Sequence, residues 1–427
     1  MLIVGVGIYF LIRLRFFFIL HPIKTVKKAF SGFDKKARRS LSLALAGTLG
    51  VGNIVGVAYG ISVGGAGCVF WIFVSGIFSS VIKYCESSLG AHFSLEGRGG
   101  MMHVIARSMG VIGKALGLAY SVLCLFLAIF MGAALQAGSV AATASAALGF
   151  KPYAFSLAFA ALVFLTVRGG AKKIESATSA VIPIATIIYI IICLTVIALG
   201  EVGLWGVISD IFREAFNMRS ALGGVLAFLA SNAMREGFAR GLLSNEAGAG
   251  TSSIAQSRTN GAHPARVGLY GVCEVFFDTT LLCTLTGLAV LCSGVSVAQS
   301  GIATVLAAFA TVLGASAAPV LFALIFAFAY STVVCWYFYA SEALVFIFGR
   351  EKSAAFTALF FASLIFGTFI PESLLVLLVD CVLFMMSVLT LLTLIKNSER
   401  IVFLSEQYGL LKLKHSDVRK GCDCCRF

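Results

Sequence analysis

The feature that most constrains this chain is a series of apolar segments suited to crossing a lipid bilayer. A membrane-spanning helix needs about 20 mostly apolar residues, because each residue rises about 1.5 Å through a hydrocarbon core about 30 Å thick. We identify eleven such segments: residues 1–20, 41–63, 66–92, 115–147, 153–168, 177–200, 221–257, 267–293, 317–348, 353–370 and 373–395. Since 59% of the 427 residues are hydrophobic and only 12% are charged, the chain is predicted to be an all-α, multi-pass protein of the cell membrane.

The first segment, residues 1–20, is predicted to be a peripheral transmembrane helix rather than a secretory signal. It has no cationic start, and it continues directly into a basic loop. Cations gather in that loop and in every second loop after it, whereas the intervening loops contain only Lys151, Arg213 and Arg219. The positive-inside rule therefore places the N-terminus outside and the C-terminus in the cytoplasm. This distribution also accounts for the net charge of +13 without a nucleic-acid partner.

The twelve cysteines do not form a pattern typical of a disulfide-bonded protein. Most stand singly in apolar segments, as Cys68 and Cys193 do, and we interpret them as small buried hydrophobic residues. Three of them, Cys422, Cys424 and Cys425, lie in the tail, where metal binding and lipidation are alternatives to a disordered segment with no special role. The disordered tail is the simplest interpretation, and no cofactor is predicted.

Two of the apolar segments contain an interruption rich in glycine and polar residues. The first reads GTLGVGNIVGV from residue 47, and the second reads LLSNEAGAGTSS from residue 242. Glycine inside a helix costs about 1 kcal/mol relative to alanine and permits backbone angles that other residues resist. Both interruptions are therefore predicted to unwind. Close packing of helices through small residues is the alternative, but packing does not require Asn53, Asn245 or Glu246.

Unwound backbone inside a membrane predicts a binding site. Its amide and carbonyl groups cannot face lipid without partners, so they must be buried in protein or line a wet cavity. Amides at the start of a half-helix attract a carboxylate, and freed carbonyls attract an ammonium group or sodium. Interruptions in corresponding positions of two halves are typical of transporters with internal repeats.

The positions of the interruptions also predict how the chain is divided. With the first helix set aside, ten predicted helices remain, and an odd number in each group of five forces the two groups into opposite membrane orientations. Each interruption then falls in the first helix of its group. The predicted parts are a peripheral helix with a basic loop, a first five-helix repeat, a second, inverted repeat and a cytoplasmic tail: residues 1–40, 41–200, 201–395 and 396–427.

The sequence around these interruptions resembles the alanine or glycine:cation symporter family, also called the sodium:alanine symporters. The motifs GNIVGVA, GGAGCVFW, GFARGLLSNEAGAG, HPARVGL, FFDTTLLCTLTG and FAYSTVVCWYFY follow in the family's order and cover nearly the whole chain. The resemblance implies the leucine-transporter fold of two inverted five-helix repeats. It also implies uptake of alanine, glycine or a similar small amino acid with sodium or a proton.

Three single positions and one short motif depart from the family pattern. Val51 stands where the family usually has threonine, Gly138 replaces the asparagine that follows Gln136 by two residues, and Ala249 replaces a methionine. The family's GGPMYY reads GGMMHV from Gly99 onward. These changes leave the transporter class intact and bear on the identity of the substrate and the cation.

The interruptions and the resemblance together predict the residues of the site. The predicted substrate-binding residues are Thr48, Gly50, Val51, Gly52, Asn53, Gln136, Asn245, Glu246, Ala247, Gly248, Ala249 and Trp336. The resemblance further implies a sodium site formed by Gly50, Asn53, Phe328, Ser331 and Thr332. Hydroxyl and carbonyl oxygens would be the sodium ligands.

Several of these residues have a structural alternative. Gln136 is the only amide in a long apolar helix, so it must bond either the ligand or a neighbouring helix. Ser331 and Thr332 either bind the cation or bond the backbone of their own helix. Trp336 either walls the pocket or anchors packing. Glu246, which is costly inside a membrane, either offsets a cationic charge or braces the broken helix.

Other acidic residues in the apolar segments are interpreted as structural or gating groups rather than ligands. Glu236 and Arg240 are spaced to neutralise each other on one helix face. The remaining ones are Asp278, Glu86 with its neighbour Lys83, Glu342 and Asp380.

Two other functions compete with symport. An integral membrane enzyme would need a nucleophile with a base, or clustered metal ligands, but the five histidines are scattered and no HExxH, GxSxG or phosphate-binding loop occurs. An ion channel also uses polar groups in a membrane, but paired, opposed interruptions favour alternating access. The sequence therefore predicts a secondary active symporter coupled to sodium or a proton. It leaves open the amino acid, its chirality, the stoichiometry and the oligomeric state.

Overall fold

The protein is helical throughout the residues that the computed structural model describes. These are residues 2–31, 34–95, 97–149, 151–216, 231–259, 261–297, 301–349 and 353–411. Within those ranges there is no β-strand, only an isolated bridge between Leu95 and Arg98. The predicted all-α class is therefore confirmed.

The helices fall into two series on either side of the gap at 217–230. Up to residue 216 the α-helices are Leu2–Arg13, Phe17–Leu20, Pro22–Phe30, Lys35–Thr48, Val55–Gly64, Gly67–His92, Met101–Ser108, Gly113–Leu127, Gln136–Leu148, Pro152–Val167, Gly170–Leu199 and Leu204–Ala215. From residue 231 they are Asn232–Asn245, Ser252–Gln256, Pro264–Val275, Thr284–Cys292, Gly301–Leu313, Ala317–Phe348, Ala354–Phe366, Glu372–Lys396 and Ser398–Gln407. Two π-helical segments, Ala128–Leu135 and Phe276–Cys283, link neighbouring α-helices into longer continuous helices.

Among the described residues, six helical stretches are long and apolar enough to cross a membrane. They are Gly67–His92, Gly110–Ser145, Gly170–Leu199, Pro264–Cys292, Gly301–Phe348 and Ser373–Lys396. A bent pair, Lys35–Thr48 with Val51–Gly64, forms a seventh. Three more predicted segments correspond to shorter apolar helices, Leu2–Arg13, Phe155–Val167 and Ala354–Phe369. The eleventh, 221–257, begins outside the described residues. These helices agree with a protein that crosses the membrane several times.

Two helices lie between the segments that the sequence predicts. The Leu204–Ala215 helix is amphipathic, since its buried residues are spaced four apart along one face. The Gly301–Leu313 helix packs on the Val55–Gly64 helix. Each is too short to cross a membrane alone, which is why a search for membrane spans does not find them.

The Gly67–His92 helix lies in the interior of the protein, packed between the Asn232–Asn245 and Pro264–Val275 helices. This close approach depends on small residues such as Gly271, where an added Cβ would lie 2.8 Å from the carbonyl oxygen of Lys83. Charged side chains of this central helix therefore lie inside the protein, away from lipid.

The segment predicted as a tail begins with a docked helix. The Ser398–Gln407 helix follows the last predicted span, and just beyond it the carbonyl oxygens of Tyr408 and Gly409 accept hydrogen bonds from Lys28 Nζ at 3.1 and 2.9 Å. The start of this tail is therefore attached to the basic N-terminal region. The three tail cysteines lie outside the described residues.

Candidate functional site

The first interruption is unwound, as the sequence predicts. The Lys35–Thr48 helix ends there, a single 3-10 turn runs from Val51 to Asn53, and the Val55–Gly64 helix continues at an angle of 64°. We call residues 49–54 the first break. Because the helical repeat is lost, backbone groups of this segment need partners from elsewhere in the protein.

Side chains from two other helices reach the backbone of the first break. The hydroxyl of Thr332 lies 3.1 Å from the carbonyl oxygen of Leu49. The amide of Val51 donates a hydrogen bond of 3.4 Å to Gln136 Oε1. Gly50 lies between these two side chains, since an added Cβ would be 3.1 Å from Thr332 Oγ1 and 3.3 Å from the amide group of Gln136. A glycine is therefore needed at position 50 for this close approach.

Of the five residues in the predicted sodium site, four lie at the first break. Gly50 and Asn53 belong to the break itself, and the Thr332 hydroxyl also lies 2.9 Å from the carbonyl oxygen of Phe328. Thr332 and Ser331 both bond carbonyl oxygens of their own helix, Ser331 that of Ala327 at 2.9 Å, but among the described hydrogen bonds only Thr332 also contacts the break. For Ser331 the structure thus favours the structural alternative.

The second interruption is also unwound. After the Asn232–Asn245 helix, Glu246, Gly248 and Gly250 have φ angles of 53°, 93° and 79°, and the Ser252–Gln256 helix follows. We call residues 246–251 the second break. Positive φ is unfavourable for a residue with a side chain, so Glu246 must be held in this conformation by its surroundings.

Two buried side chains from other helices hold the backbone of the second break. The amide of Gly248 donates to Glu86 Oε1 at 2.7 Å, and the hydroxyl of Tyr120 donates to the carbonyl oxygen of Ala249 at 2.7 Å. The sequence did not predict Glu86 or Tyr120 as site residues. They act on the broken backbone from the helices Gly67–His92 and Gly113–Leu127.

Asn245 and Glu246 brace the second break from within. Asn245 Oδ1 accepts the amide of Ala247 at 2.9 Å, and its Nδ2 donates to Thr279 Oγ1 at 3.0 Å. The hydroxyl of Thr251 donates to Glu246 Oε2 at 2.5 Å. The other carboxylate oxygen of Glu246, Oε1, is buried and has no hydrogen-bond partner in the described part of the chain. Glu246 therefore braces the break through only one of its two oxygens.

Asp278 joins the first break to the helix that precedes the second. Asn53 Nδ2 donates to Asp278 Oδ1 at 2.7 Å and to Ser244 Oγ at 2.9 Å, while Asn53 Oδ1 accepts the amide of Gly50 at 3.0 Å. Ser244 and Thr279 each donate to Asp278 Oδ2 at 2.7 Å. Both oxygens of this buried carboxylate are thus hydrogen-bonded. Asp278 lies in a π-helical segment, a distortion that often marks a functional site.

A buried ion pair lies beside the second break. Lys83 Nζ is 3.3 Å from Glu274 Oε1 and also donates to the hydroxyl of Ser252. Glu274 accepts further hydrogen bonds from Ser252 at 2.5 Å and from Gln256 at 2.6 Å. Lys83 therefore pairs with Glu274 and not with its helical neighbour Glu86. Glu236 and Arg240 do form the predicted ion pair, at 3.1 Å.

Three other predicted site residues, Thr48, Gly52 and Trp336, differ in their surroundings. The hydroxyl of Thr48 donates to the carbonyl oxygen of Ala44 in its own helix at 3.4 Å. Gly52 faces open space, since an added Cβ would meet nothing within 4 Å. Trp336 is fully buried with its ring centroid 5.3 Å from that of Tyr339. Trp336 thus packs against a neighbouring aromatic ring, and the Cβ position of Gly52 is unobstructed.

The space beside the first break is narrow in this conformation. It is too narrow to hold a water molecule and is lined by Leu49, Gly50, Asn53, Ile54, Tyr189, Leu282 and Phe328. The wet cavity that the sequence allows is therefore not open here. Instead of water or a ligand, protein side chains bond to the freed backbone groups.

The sequence is similar to one protein family along nearly its whole length. The model of the sodium:alanine symporter family matches residues 1–419. YflA, an uncharacterised transporter of Bacillus subtilis, is 30% identical over 98% of this chain and 92% of its own length. The sodium/alanine symporter AgcS of Methanococcus maripaludis is 29% identical over 82% of this chain and 80% of its own length. A putative sodium/proton-dependent alanine carrier protein of Bacillus subtilis, YrbD, is 31% identical over 68% of this chain and 60% of its own.

The family match confirms the resemblance noted in the sequence. Members of this family are transporters rather than enzymes, which supports cation-coupled transport of an amino acid. The several apolar helices described above agree with such a protein in a membrane. The match over residues 1–419, together with two broken helices that meet through buried polar groups, shows that this chain belongs to the sodium:alanine symporter family.

Proposed function

We propose that the protein carries a small neutral amino acid, alanine or glycine, across the cell membrane by alternating access, together with sodium or a proton. Two inverted five-helix repeats, residues 41–200 and 201–395, would move relative to each other around the two breaks. The N-terminus would lie outside and the tail in the cytoplasm. The observation that carries this proposal is the first break, whose backbone is held by side-chain contacts that a ligand can replace.

The amides of the first break are suited to a carboxylate. The amide of Val51 reaches Gln136 at 3.4 Å, beyond the usual range of about 2.7–3.2 Å for such hydrogen bonds. An ionised carboxylate accepts hydrogen bonds more strongly than a neutral amide oxygen. The start of the Val55–Gly64 helix adds a favourable dipole. A substrate carboxylate would therefore displace Gln136 Oε1 from the broken backbone.

The oxygens beside the first break are suited to sodium. The hydroxyl oxygen of Thr332 lies 3.1 Å from the carbonyl oxygen of Leu49 and 2.9 Å from that of Phe328. Freed backbone carbonyls bind sodium in transporters with broken helices. The names of two relatives, a sodium/alanine symporter and a sodium/proton-dependent alanine carrier, support this choice of substrate and cation.

Close packing at the first break supports a small substrate. An added Cβ at Gly50 would already crowd both neighbouring side chains, so a large amino-acid side chain has little room on that side. The same narrowness opposes a permanently open ion channel, because the space does not hold even a water molecule.

Uptake into liposomes tests this function. Purified protein is reconstituted, and radiolabelled alanine, glycine, serine and glutamine are compared while the sodium and pH gradients are varied independently. We expect accumulation of alanine or glycine only under an inward sodium or proton gradient. Equal uptake in the absence of any gradient would contradict symport, and accumulation of glutamine alone would contradict the proposed substrate.

A further inference from the structure

Among the described residues beside the second break, buried acidic side chains outnumber buried basic ones. The acidic residues Glu86, Glu246, Glu274 and Asp278 and the single ammonium group of Lys83 are each at most 1% exposed. Two of the acids are well satisfied as carboxylates. Glu274 pairs with Lys83, and Asp278 accepts hydrogen bonds on both oxygens. The negative charges that still need compensation are therefore those of Glu86 and Glu246.

Glu246 is the less satisfied of the two as an anion. Glu86 accepts the amide of Gly248 at 2.7 Å and also faces the amide of Gly250, although its Oε2 is likewise buried without a hydrogen-bond partner among the described residues. Glu246 accepts only the neutral hydroxyl of Thr251, and its Oε1 is buried without a hydrogen-bond partner among the described residues. An ionised carboxylate in such surroundings is unfavourable unless it is paired. A bound proton removes that charge.

The groups that face Glu246 from other helices do not neutralise it. The charged ones are Lys83, Glu274 and Asp278, and the lysine is already engaged by Glu274. The remaining titratable neighbours are weak acids, the hydroxyls of Tyr120 and Tyr339 and the thiols of Cys124 and Cys335. No group of three or more acidic, histidine or cysteine side chains within the described ranges is arranged to hold a metal ion. A proton neutralises the carboxylate without requiring further ligands.

We propose that Glu246 binds and releases a proton in each transport cycle, an inference that rests on the amino-acid symport proposed above. Glu246 is the first residue of the second break, so a movement that opens the break exposes this carboxyl group to water. The O–H bond forms with a proton from water on one side of the membrane and breaks to water on the other. No other bond changes.

Proton movement with alanine tests this assignment. Proteoliposomes contain a pH-sensitive dye, sodium is equal on both sides, and alanine is added outside. We expect wild-type protein to acidify the lumen. Glu246→Gln, which mimics the protonated form, should lose acidification but retain alanine exchange. Two results would overturn the assignment. One is that Glu246→Gln moves as many protons per alanine as the wild type does, and the other is that the wild type transports alanine without acidifying the lumen.

A matched control separates Glu246 from carboxylates in general. Glu236 lies in the same helical region, but it is paired with Arg240 at 3.1 Å and does not touch the second break. Glu236→Gln should acidify the lumen as the wild type does. Loss of acidification in both variants would show that the effect is not specific to Glu246 and would count against the proposal.

An infrared measurement tests the proton site independently of transport. Without any substrate, wild-type protein at neutral pH should show the C=O band of a protonated carboxylic acid, and Glu246→Gln should lose it. If Glu246→Gln does not fold, Glu246→Asp should shift the band instead. An unchanged band in these variants overturns the proton site, even where transport is normal. Loss of the band in a protein that moves no amino acid would refute the proposed function but not the site.

Discussion

The two breaks interrupt their helices in a similar way, but their backbone groups are held by different chemistry. Asp278 contacts the first break through the side chain of Asn53 and not through its backbone. Uncharged groups of Thr332 and Gln136 contact the backbone of the first break. At the second break, Glu86 accepts a backbone amide and Glu246 occupies the first position, with Lys83 nearby. Neutral partners can be exchanged for a ligand at small cost, whereas a buried charge cannot be left unpaired. The first break is therefore suited to binding, and the second requires a constant balance of charge.

The largest effect that sharpens this comparison is expected from Lys83→Met. The substitution leaves Glu274 buried without its cation, and breaking such a pair costs about 3–5 kcal/mol. We expect loss of folded protein, measured by yield and thermal unfolding in detergent. Lys83→Met combined with Glu274→Gln should recover part of that stability.

Arg213→Ala is the matched control for the removal of a cation. Arg213 pairs with Asp210 on the surface, where the two side chains are 76% and 48% exposed, so its loss should change stability by less than about 1 kcal/mol. If Lys83→Met is tolerated as well as Arg213→Ala, charge does not hold the second break.

The next effect concerns the close approach at the first break. A Cβ at Gly50 would crowd Thr332 and Gln136. Overpacking of this kind costs about 1–3 kcal/mol, and the same free energy lost from binding would lower the substrate affinity roughly 10- to 100-fold. Gly50→Ala is therefore expected to weaken alanine binding, measured by calorimetry, while the protein remains folded. Gly56→Ala has open space for its methyl group and should bind alanine normally. Equal affinities in the two variants would argue against a binding role for the first break.

Adjacent hydroxyls in one helix give a smaller and more specific effect. Thr332 reaches the carbonyl oxygen of Leu49, but Ser331 bonds only its own helix in the contacts seen here. Thr332→Val should raise the sodium concentration for half-maximal uptake by about tenfold, equivalent to about 1.4 kcal/mol. Ser331→Ala should leave it nearly unchanged. The reverse order of effects would place the sodium site on the other face of the helix.

The smallest effect is expected from Gln136→Ala. In the proposed bound state the substrate displaces the Gln136 contact with Val51, so the side chain contributes at most one hydrogen bond to the ligand. The loss of about 1 kcal/mol would lower alanine affinity by roughly fivefold. Equilibrium binding at saturating sodium measures this change. A loss as large as that of Gly50→Ala would mean that Gln136, and not the backbone, dominates binding.

The sequence predicted the breaks better than their partners. Glycine density and buried polar residues locate both breaks, and the structure unwinds the chain at 49–54 and 246–251. These signals are local, since they depend on the conformational preferences of a few consecutive residues. The membrane spans are local signals of the same kind.

The partners of the breaks are long-range and were not predicted in the same way. Asp278, Glu86 and Glu274 stand out as acidic residues in apolar helices, but the sequence does not show which helix each one faces. Spacing alone associated Lys83 with Glu86, whereas packing pairs it with Glu274. Ser331 and Thr332 are likewise adjacent, and only the orientation of their helix distinguishes their contacts.

Hydrogen–deuterium exchange of the protein in nanodiscs tests most directly whether the freed backbone forms the binding site. Peptides that cover residues 49–54 and 246–251 are compared with and without alanine and sodium. We predict that the amides of the first break exchange more slowly when both are bound than without ligand, with a smaller change at the second break. Protection confined to other helices, at concentrations where alanine is bound, would contradict the account.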